Sequence, residues 1–193
     1  MPGLLSLVLA ASLSGLPGLP QRGLARETKA GVQLQSLGGR PLGALRGFDL
    51  ALDQAAPHVV VLRNSRGVLY AFDGRTLRRR APHGPVHVAA PKPRGIGHWV
   101  WAERSPSGAA VLAQWSGECE IPVAYLVVNG KLQSYGAETV ALGWLSTGEA
   151  VVHFRPVGCA GTGRSGIYAT LDTHKMHRLI RTPRFAQYLM WGG

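Results

Sequence analysis

The sequence predicts an all-β fold, namely a small or partial β-propeller of about four four-stranded units. Three segments share a turn glycine followed by an apolar run: residues 62–70, 103–111 and 144–152. Their glycines, Gly67, Gly108 and Gly148, lie 41 and 40 residues apart. A spacing of about forty residues is typical of a propeller blade of four strands. Outside the N-terminal region, no stretch of about twelve residues has helical periodicity.

Each repeated glycine is expected to occupy a left-handed turn position, where a β-carbon would be penalised. A second series of hairpins is predicted at residues 70–77, 125–132 and 168–176. Asp73-Gly74 and Asn129-Gly130 carry it best, because both central residues of the tightest hairpin turns need a positive φ. A unit therefore reads strand, glycine turn, strand, variable loop, strand, Asx turn, strand.

Counting these units predicts how the chain is divided. Residues 99–135 and 139–180 form nearly complete units, a poorer unit ends at Arg80, and residues 184–191 suit the opening strand of another. One unit cannot bury both apolar sides alone, so neighbouring units must stack. A minimal ring, an open partial propeller, a protomer completed by another chain and an antiparallel β-sandwich all remain open.

Three motifs mark the repeat: Trp-Val-Trp at 99–101, Ser-Pro-Ser-Gly at 105–108 and Gly-Ile-Tyr at 166–168. With them the chain resembles, over residues 59–191, the TolB-like and WD-repeat-like propellers of the bacterial envelope. Ser107 stands where such repeats favour Asp. The resemblance implies an exported propeller, although those families have six or seven blades and this chain has room for about four.

The N-terminal region has the features of a signal peptide. Residues 4–19 hold no charged side chain, and Gly23-Leu24-Ala25 supplies a small-x-small cleavage site. We therefore expect a signal peptide over residues 1–25 and a single domain over 26–193, with 26–44 as a candidate loosely ordered lead-in. Cleavage near Ser14 is the alternative. An apolar run of this length is short for a membrane anchor, so we expect a secreted or periplasmic protein with no transmembrane helix after cleavage.

The chain has two cysteines, Cys119 and Cys159, both in glycine-rich loops. In an oxidising compartment such a pair is most simply a disulfide, here joining the loops between the second and third strands of neighbouring units. Two unrelated thiols are the alternative. Two sulfurs with no histidine at ligand spacing do not predict a metal site.

The formal net charge of +11 favours anionic partners. Arg78, Arg79 and Arg80 form the only basic run, and we take them, together with Trp115, as the candidate contact surface. The alternative is an ordinary solvated face. A protein or an anionic polymer would suit this charge, and the sequence has no specific nucleic-acid motif.

Several motifs resemble catalytic or cofactor sites without completing them. Residues 158–166 approximate a phosphate-binding loop, but a strand rather than a helix follows the glycines. His83 and His87 are four residues apart, but Pro82, Gly84 and Pro85 exclude a shared helical face. His174 and His177 are three apart, so on a strand they would point to opposite faces. Ser165, His153 and Asp172 are the types of a hydrolase triad without its strand–serine–helix turn. We predict no catalytic, metal-binding or cofactor-binding residues.

These observations favour a non-catalytic exported binding module whose ligand the sequence does not name. Two other classes remain open. One is an envelope-associated hydrolase with catalytic groups dispersed among loops, which a cleft holding a histidine paired with a carboxylate would favour. The other is an electrostatic binder of an anionic polymer or membrane surface, which convergence of the arginines on one face would favour. The oligomeric state is not predicted.

Overall fold

Four small antiparallel sheets, each of four strands, make up the protein. The computed structural model describes residues 18–84, 86–155, 165–183 and 185–192. The sheets are arranged like the blades of a four-bladed β-propeller, which confirms the predicted fold class. Among the described residues the helical segments are two three-residue 3-10 turns, Leu52–Gln54 and Glu118–Glu120.

Blade 1 combines the two ends of the described chain. Its strands are β1 (Gly23–Thr28), β2 (Gly31–Gln35), β3 (Pro41–Leu45) and β16 (Tyr188–Trp191), in the order β16-β1-β2-β3. The pairing of β1 with β16 is antiparallel and runs from Gly23 opposite Trp191 to Arg26 opposite Tyr188. The last strand therefore supplies the first position of a blade that the N-terminal strands complete, and this pairing joins the ring.

The other three blades are each continuous in sequence. Blade 2 contains β4 (Phe48–Leu50), β5 (Val60–Asn64), β6 (Leu69–Phe72) and β7 (Leu77–Arg80). Blade 3 contains β8 (Gly97–Arg104), β9 (Ala110–Gly117), β10 (Pro122–Val128) and β11 (Lys131–Ala137). Blade 4 contains β12 (Thr139–Trp144), β13 (Ala150–Phe154), β14 (Gly166–Thr170) and β15 (Met176–Ile180). In each, consecutive strands are neighbours, so the fourth strand is an edge.

The predicted division into units matches the blades, but the phase of the first repeat was wrong. Gly108 and Gly148 lie in turns between the first and second strands of blades 3 and 4, whereas Gly67 lies between the second and third strands of blade 2. A tight glycine turn looks the same in sequence at either position. The second hairpin series is in phase, because each of its turns joins a third strand to a fourth.

Residues 26–44 are not a loosely ordered lead-in. They lie mostly in β1, β2 and β3, where Val32 and Leu34 are fully buried. Leu24 and Ala25, on the N-terminal side of the expected cleavage site, are also fully buried in β1. The strands of blade 1 therefore begin before the predicted domain boundary.

The tryptophans are packed inside the propeller, as expected for most of them. Trp191 is fully buried and its ring lies edge-on to Phe72 of blade 2, with centroids 5.7 Å apart. Gly74 gives this ring room, because a β-carbon there would lie 2.5 Å from Trp191 Cδ1. Its φ of +92° independently favours glycine. The Asp-Gly turn of blade 2 is thus fitted to the strand that joins the ring.

Candidate binding surface

The antiparallel strands place the loops of every blade on two opposite faces. We call the upper face the end that carries the loops between second and third strands and the connections between blades. The lower face carries the turns between first and second strands and between third and fourth strands. Binding residues commonly lie on loops held by a rigid scaffold, so the face on which a candidate residue lies decides which others it can act with.

The predicted arginine run lies on the exposed edge strand of blade 2. Arg78 and Arg79 are exposed, Arg80 is half-buried, and all three belong to β7. The structure adds a fourth arginine, Arg66, which is exposed in the turn between β5 and β6. Arg66 was not part of the predicted contact surface, because it lies twelve residues before Arg78 in sequence.

The turn of Arg66 is held in place by a neighbouring side chain. Asn64 Oδ1 accepts hydrogen bonds from the backbone N–H groups of Arg66 at 3.0 Å and Val68 at 2.9 Å. The backbone N–H of Gly67 donates to Asn64 O at 2.9 Å, and its φ is +75°. This Asx turn fixes the backbone position of Arg66.

A groove of about 520 Å³ lies between this turn and the upper end of β7. We call it the arginine groove; its lining residues are Arg66, Gly67, Val68, Leu69, Arg79, Arg80, Ala81 and Pro82. Ion pairs among the described residues join Arg63 to Asp53, His58 to Glu103 and His177 to Glu149, and none involves the groove arginines. Three cationic side chains therefore border one open surface without an ion-pair partner from the described chain.

Arg78 lies outside the groove, toward the lower face. Burial raises the pKa of the Asp73 carboxyl, but hydrogen bonds from Thr76 and Arg75 and the charge of Arg78 together hold that pKa below its ordinary value. The predicted run is therefore divided between Arg78, which lies near this turn, and the two groove arginines.

Trp115 does not belong to the exposed contact surface. It is 3% exposed, and its ring packs edge-on against Trp99 with centroids 5.0 Å apart. Lys92, from the long connection between blades 2 and 3, places its Nζ 5.7 Å from the Trp115 ring centroid. Trp115 was predicted at a contact surface because it lies close to Cys119 in sequence. In the structure its side chain is instead packed in the wall of blade 3.

A second cavity, of about 240 Å³, lies near the upper face between blades 2, 3 and 4. Two of its polar side chains have internal partners, whereas the Nε of Arg155 is buried without a hydrogen-bond partner. Asp53 accepts two hydrogen bonds from Arg63 at 2.7 and 2.8 Å, and Gln114 Oε1 accepts one from the Ala141 N–H at 2.7 Å. Burial lowers the pKa of Arg155 there, while the charges of Glu138 and Glu27 oppose that shift. The Gln114 hydrogen bond joins blades 3 and 4, whereas the Asp53–Arg63 contact lies within blade 2.

On the lower face, a histidine and a carboxylate from different blades form a pair. His58 Nε2 lies 3.1 Å from Glu103 Oε1, and Glu103 Oε2 is buried without a hydrogen-bond partner. Burial raises the pKa of Glu103, and the charges of His58 and Arg22 act against that increase. The two residues are 45 positions apart, and neither has a local motif, so the sequence could not pair them.

This pair is the arrangement that would favour the hydrolase alternative, but its other contacts are structural. The Trp144 Nε1–H of blade 4 donates to Glu103 O at 3.2 Å, and the Gly192 N–H donates to His58 O at 3.0 Å. Within the described ranges, no hydroxyl or thiol forms a hydrogen bond to either side chain. The pair therefore connects blades beside the joining strand.

The three residues of the sequence-level triad do not assemble. Ser165 precedes β14 and Asp172 follows it, so the strand separates them. Ser165 Oγ donates to Thr182 O at 3.0 Å, and His153 Nε2 lies 3.3 Å from Thr182 Oγ1. Burial, with a smaller effect of the Arg155 charge, lowers the pKa of His153 to about 3. Ser165 Oγ also lies 3.3 Å from Thr182 Oγ1, so this threonine bridges Ser165 and the neutral His153, while Asp172 accepts hydrogen bonds from the backbone of its own turn.

The predicted disulfide, the glycine loop and the histidine pairs lie partly within the described residues. Cys119 is exposed at a φ of +56°, whereas Cys159 and most of the 158–166 glycine loop lie outside the described residues, so the disulfide stays a prediction. His83 Nε2 lies 3.3 Å from Ala55 O, within the packing of the connection between blades 2 and 3. Across the described ranges, no three His, Cys, Asp or Glu side chains gather as metal ligands.

No protein-family model, curated protein or solved structure matches this chain. The resemblance to TolB-like and WD-repeat-like propellers therefore stays a prediction. None of the described residues belongs to a helix with the length and hydrophobicity needed to cross a bilayer. The arginine groove is an open surface bordered by three arginines.

Proposed function

We propose that the protein is a non-catalytic binding module, exported from the cytoplasm, that takes an anionic partner at the arginine groove. The observation that carries this proposal is that Arg66, Arg79 and Arg80 border one open groove without an ion-pair partner among the described residues. Guanidinium groups present forked donors that match carboxylate and phosphate oxygens. Export rests on the apolar N-terminal run.

The geometry favours binding over chemistry at this surface. The residues that line the groove besides the arginines are glycine, alanine, proline, valine and leucine, which supply neither a nucleophile nor a general base. Exposed cations are expected to increase the association rate of a polyanion and to set its orientation on the surface. They are expected to contribute less to the affinity itself. A moderate, salt-sensitive affinity follows.

The test compares two triple variants that lose the same charge. One is Arg66→Gln, Arg79→Gln and Arg80→Gln; the control is Arg40→Gln, Arg104→Gln and Lys131→Gln, which changes exposed residues on blades 1 and 3. Affinity for fluorescein-labelled polyglutamate and polyphosphate is measured by fluorescence anisotropy at low and high salt. We expect the groove variant to lose about tenfold more affinity than the control for at least one probe, as for several lost charge pairs.

High salt should remove most of that difference, because the Debye length falls from about 10 Å at 0.1 M to about 3 Å at 1 M ionic strength. Equal weakening by the two variants would mean that only the net charge of the protein matters. That result would contradict a defined anionic site at the groove.

A further inference from the structure

We propose that the partner at the arginine groove is an acidic polypeptide segment, which adds to blade 2 as a fifth strand along β7. This inference rests on the proposed function, since it names the class of anion and the way it binds. Its basis is the coincidence of three features: an open strand edge, outward-facing backbone groups and arginines on and beside that edge.

The hydrogen-bond register of blade 2 shows which backbone groups face outward. The Asp73 N–H donates to Thr76 O across the two-residue turn, so these residues form a hydrogen-bonded pair. Hydrogen-bonded and non-hydrogen-bonded pairs alternate along an antiparallel ladder. The pairs of β7 with β6 begin at Leu77 opposite Phe72 and end at Arg80 opposite Leu69. The N–H and C=O groups of Leu77 and Arg79 therefore point away from β6, toward the open edge.

The charge on this edge sets it apart from the other outer edges. The sequence of β3 is Pro-Leu-Gly-Ala-Leu, without charge, whereas β11 has one Lys and β15 has one Arg and one His. Charged side chains commonly protect an edge strand against unwanted pairing, but β3 has none and β11 has one. Three consecutive arginines on β7, with Arg66 beside them, exceed that protective need.

An extended acidic peptide matches both the backbone and the charge. Its N–H and C=O groups would pair with those of Arg79, as in other cases of strand addition to an exposed edge. Directly opposed side chains in adjacent strands have β-carbons about 4.5–5.5 Å apart. Carboxylates at alternate peptide positions would thus face Arg78 and Arg80. A phosphate polymer would share the charge but has no strand-forming backbone.

The experiment uses a fluorescein-labelled peptide, Thr-Glu-Thr-Glu-Thr-Glu, and the same peptide methylated on the backbone nitrogens of its threonines. With the glutamates opposite Arg78 and Arg80, these nitrogens are the ones that face β7. Methylation removes donors without changing charge, so we expect it to weaken binding about tenfold, the effect of two ordinary hydrogen bonds. Polyphosphate affinity serves as the control for charge alone. On the protein, Arg79→Pro removes the outward N–H while leaving the ladder to β6 intact, and Arg79→Gln is its charge-matched control.

We expect Arg79→Pro to bind the unmethylated peptide more weakly than Arg79→Gln and to bind the methylated peptide equally. Equal affinity of the two peptides for the wild-type protein would overturn strand addition, while groove-dependent binding of either would leave the proposed function standing. Groove-dependent binding of polyphosphate alone would identify the other class of polyanion. If no probe distinguishes the groove variant from its control, the proposed function fails as well.

Discussion

The joining strands of blade 1 and the edge of blade 2 differ in how far packing constrains their residues. In blade 1, Leu24, Ala25 and Trp191 are fully buried, and β1 is paired on both sides. At the edge of blade 2, Arg66, Arg78 and Arg79 are exposed. Packing constrains the residues of the first region, whereas the arginines of the second are exposed and contribute little to packing. These arginines are therefore accessible to a binding partner.

The largest expected effect comes from shortening the joining strand. A chain that begins at Arg26, as cleavage after Ala25 would leave it, loses Gly23, Leu24 and Ala25, and with them three of the four β1–β16 pairs. Truncating one buried Leu typically costs about 2–5 kcal/mol, a large part of the stability of a domain. We expect that chain to be largely unfolded and one that begins at Gly18 to fold, as circular dichroism and thermal melting would show.

The same comparison bears on the mature N-terminus. If the N-terminal run is a signal peptide, cleavage before Gly23 keeps β1 whole, and the alternative near Ser14 satisfies that condition. Mass spectrometry of the exported protein would locate the cut. A mature chain that starts at Arg26 and melts cooperatively would show that the pairing of β1 with β16 contributes little.

A smaller effect is expected from the Glu103 pair next to the joining strand. Burial raises the pKa of Glu103 above its ordinary value of 4.5, so the folded state holds that proton to higher pH than the unfolded state does. Its contribution is complete below about pH 4.5 and is lost as the pH rises through the folded pKa. Urea unfolding should therefore show the wild type losing stability relative to Glu103→Gln as the pH increases from 4 to 7. A pH-independent difference would contradict this.

The smallest effect on stability is expected at the arginine groove. The triple groove variant should change the free energy of unfolding by no more than about 0.5 kcal/mol, because exposed substitutions away from packing rarely do more. Trp191→Ala, at the joining strand, is the reference, with an expected cost of about 3–5 kcal/mol. If the groove variant is destabilised to a similar extent, its arginines are structural and the binding proposal loses its basis.

The sequence predicted the strands beside strong turn motifs and the last strand, β16, but it indicated a loosely ordered lead-in at residues 26–44, where β1, β2 and β3 lie. Asp73-Gly74 and Asn129-Gly130 identified their hairpins because turn geometry is encoded in the turn itself. By contrast, β1 has a single β-branched residue, and one of its two partner strands, β16, follows about 160 residues later. Tertiary context decides strand formation in such segments.

The candidate surface was predicted in part for the same reason. Arg79 and Arg80 are adjacent in sequence and therefore visible as a run, whereas Arg66 joins them only after β6 turns back. His58 and Glu103 belong to different blades and carry no shared motif. Trp115 was expected at a contact surface, but a buried aromatic and an exposed one have the same identity in sequence.

The position of β16 in blade 1 also determines when the protein can finish folding. During synthesis β1 emerges about 160 residues before its partner β16, so one side of β1 stays unpaired until that later strand has emerged. Such a long-range contact is slow to form, and an open strand edge is prone to aggregation meanwhile. A chain that crosses a membrane unfolded would meet the same delay on the far side, where helper proteins that shield strand edges would be most useful.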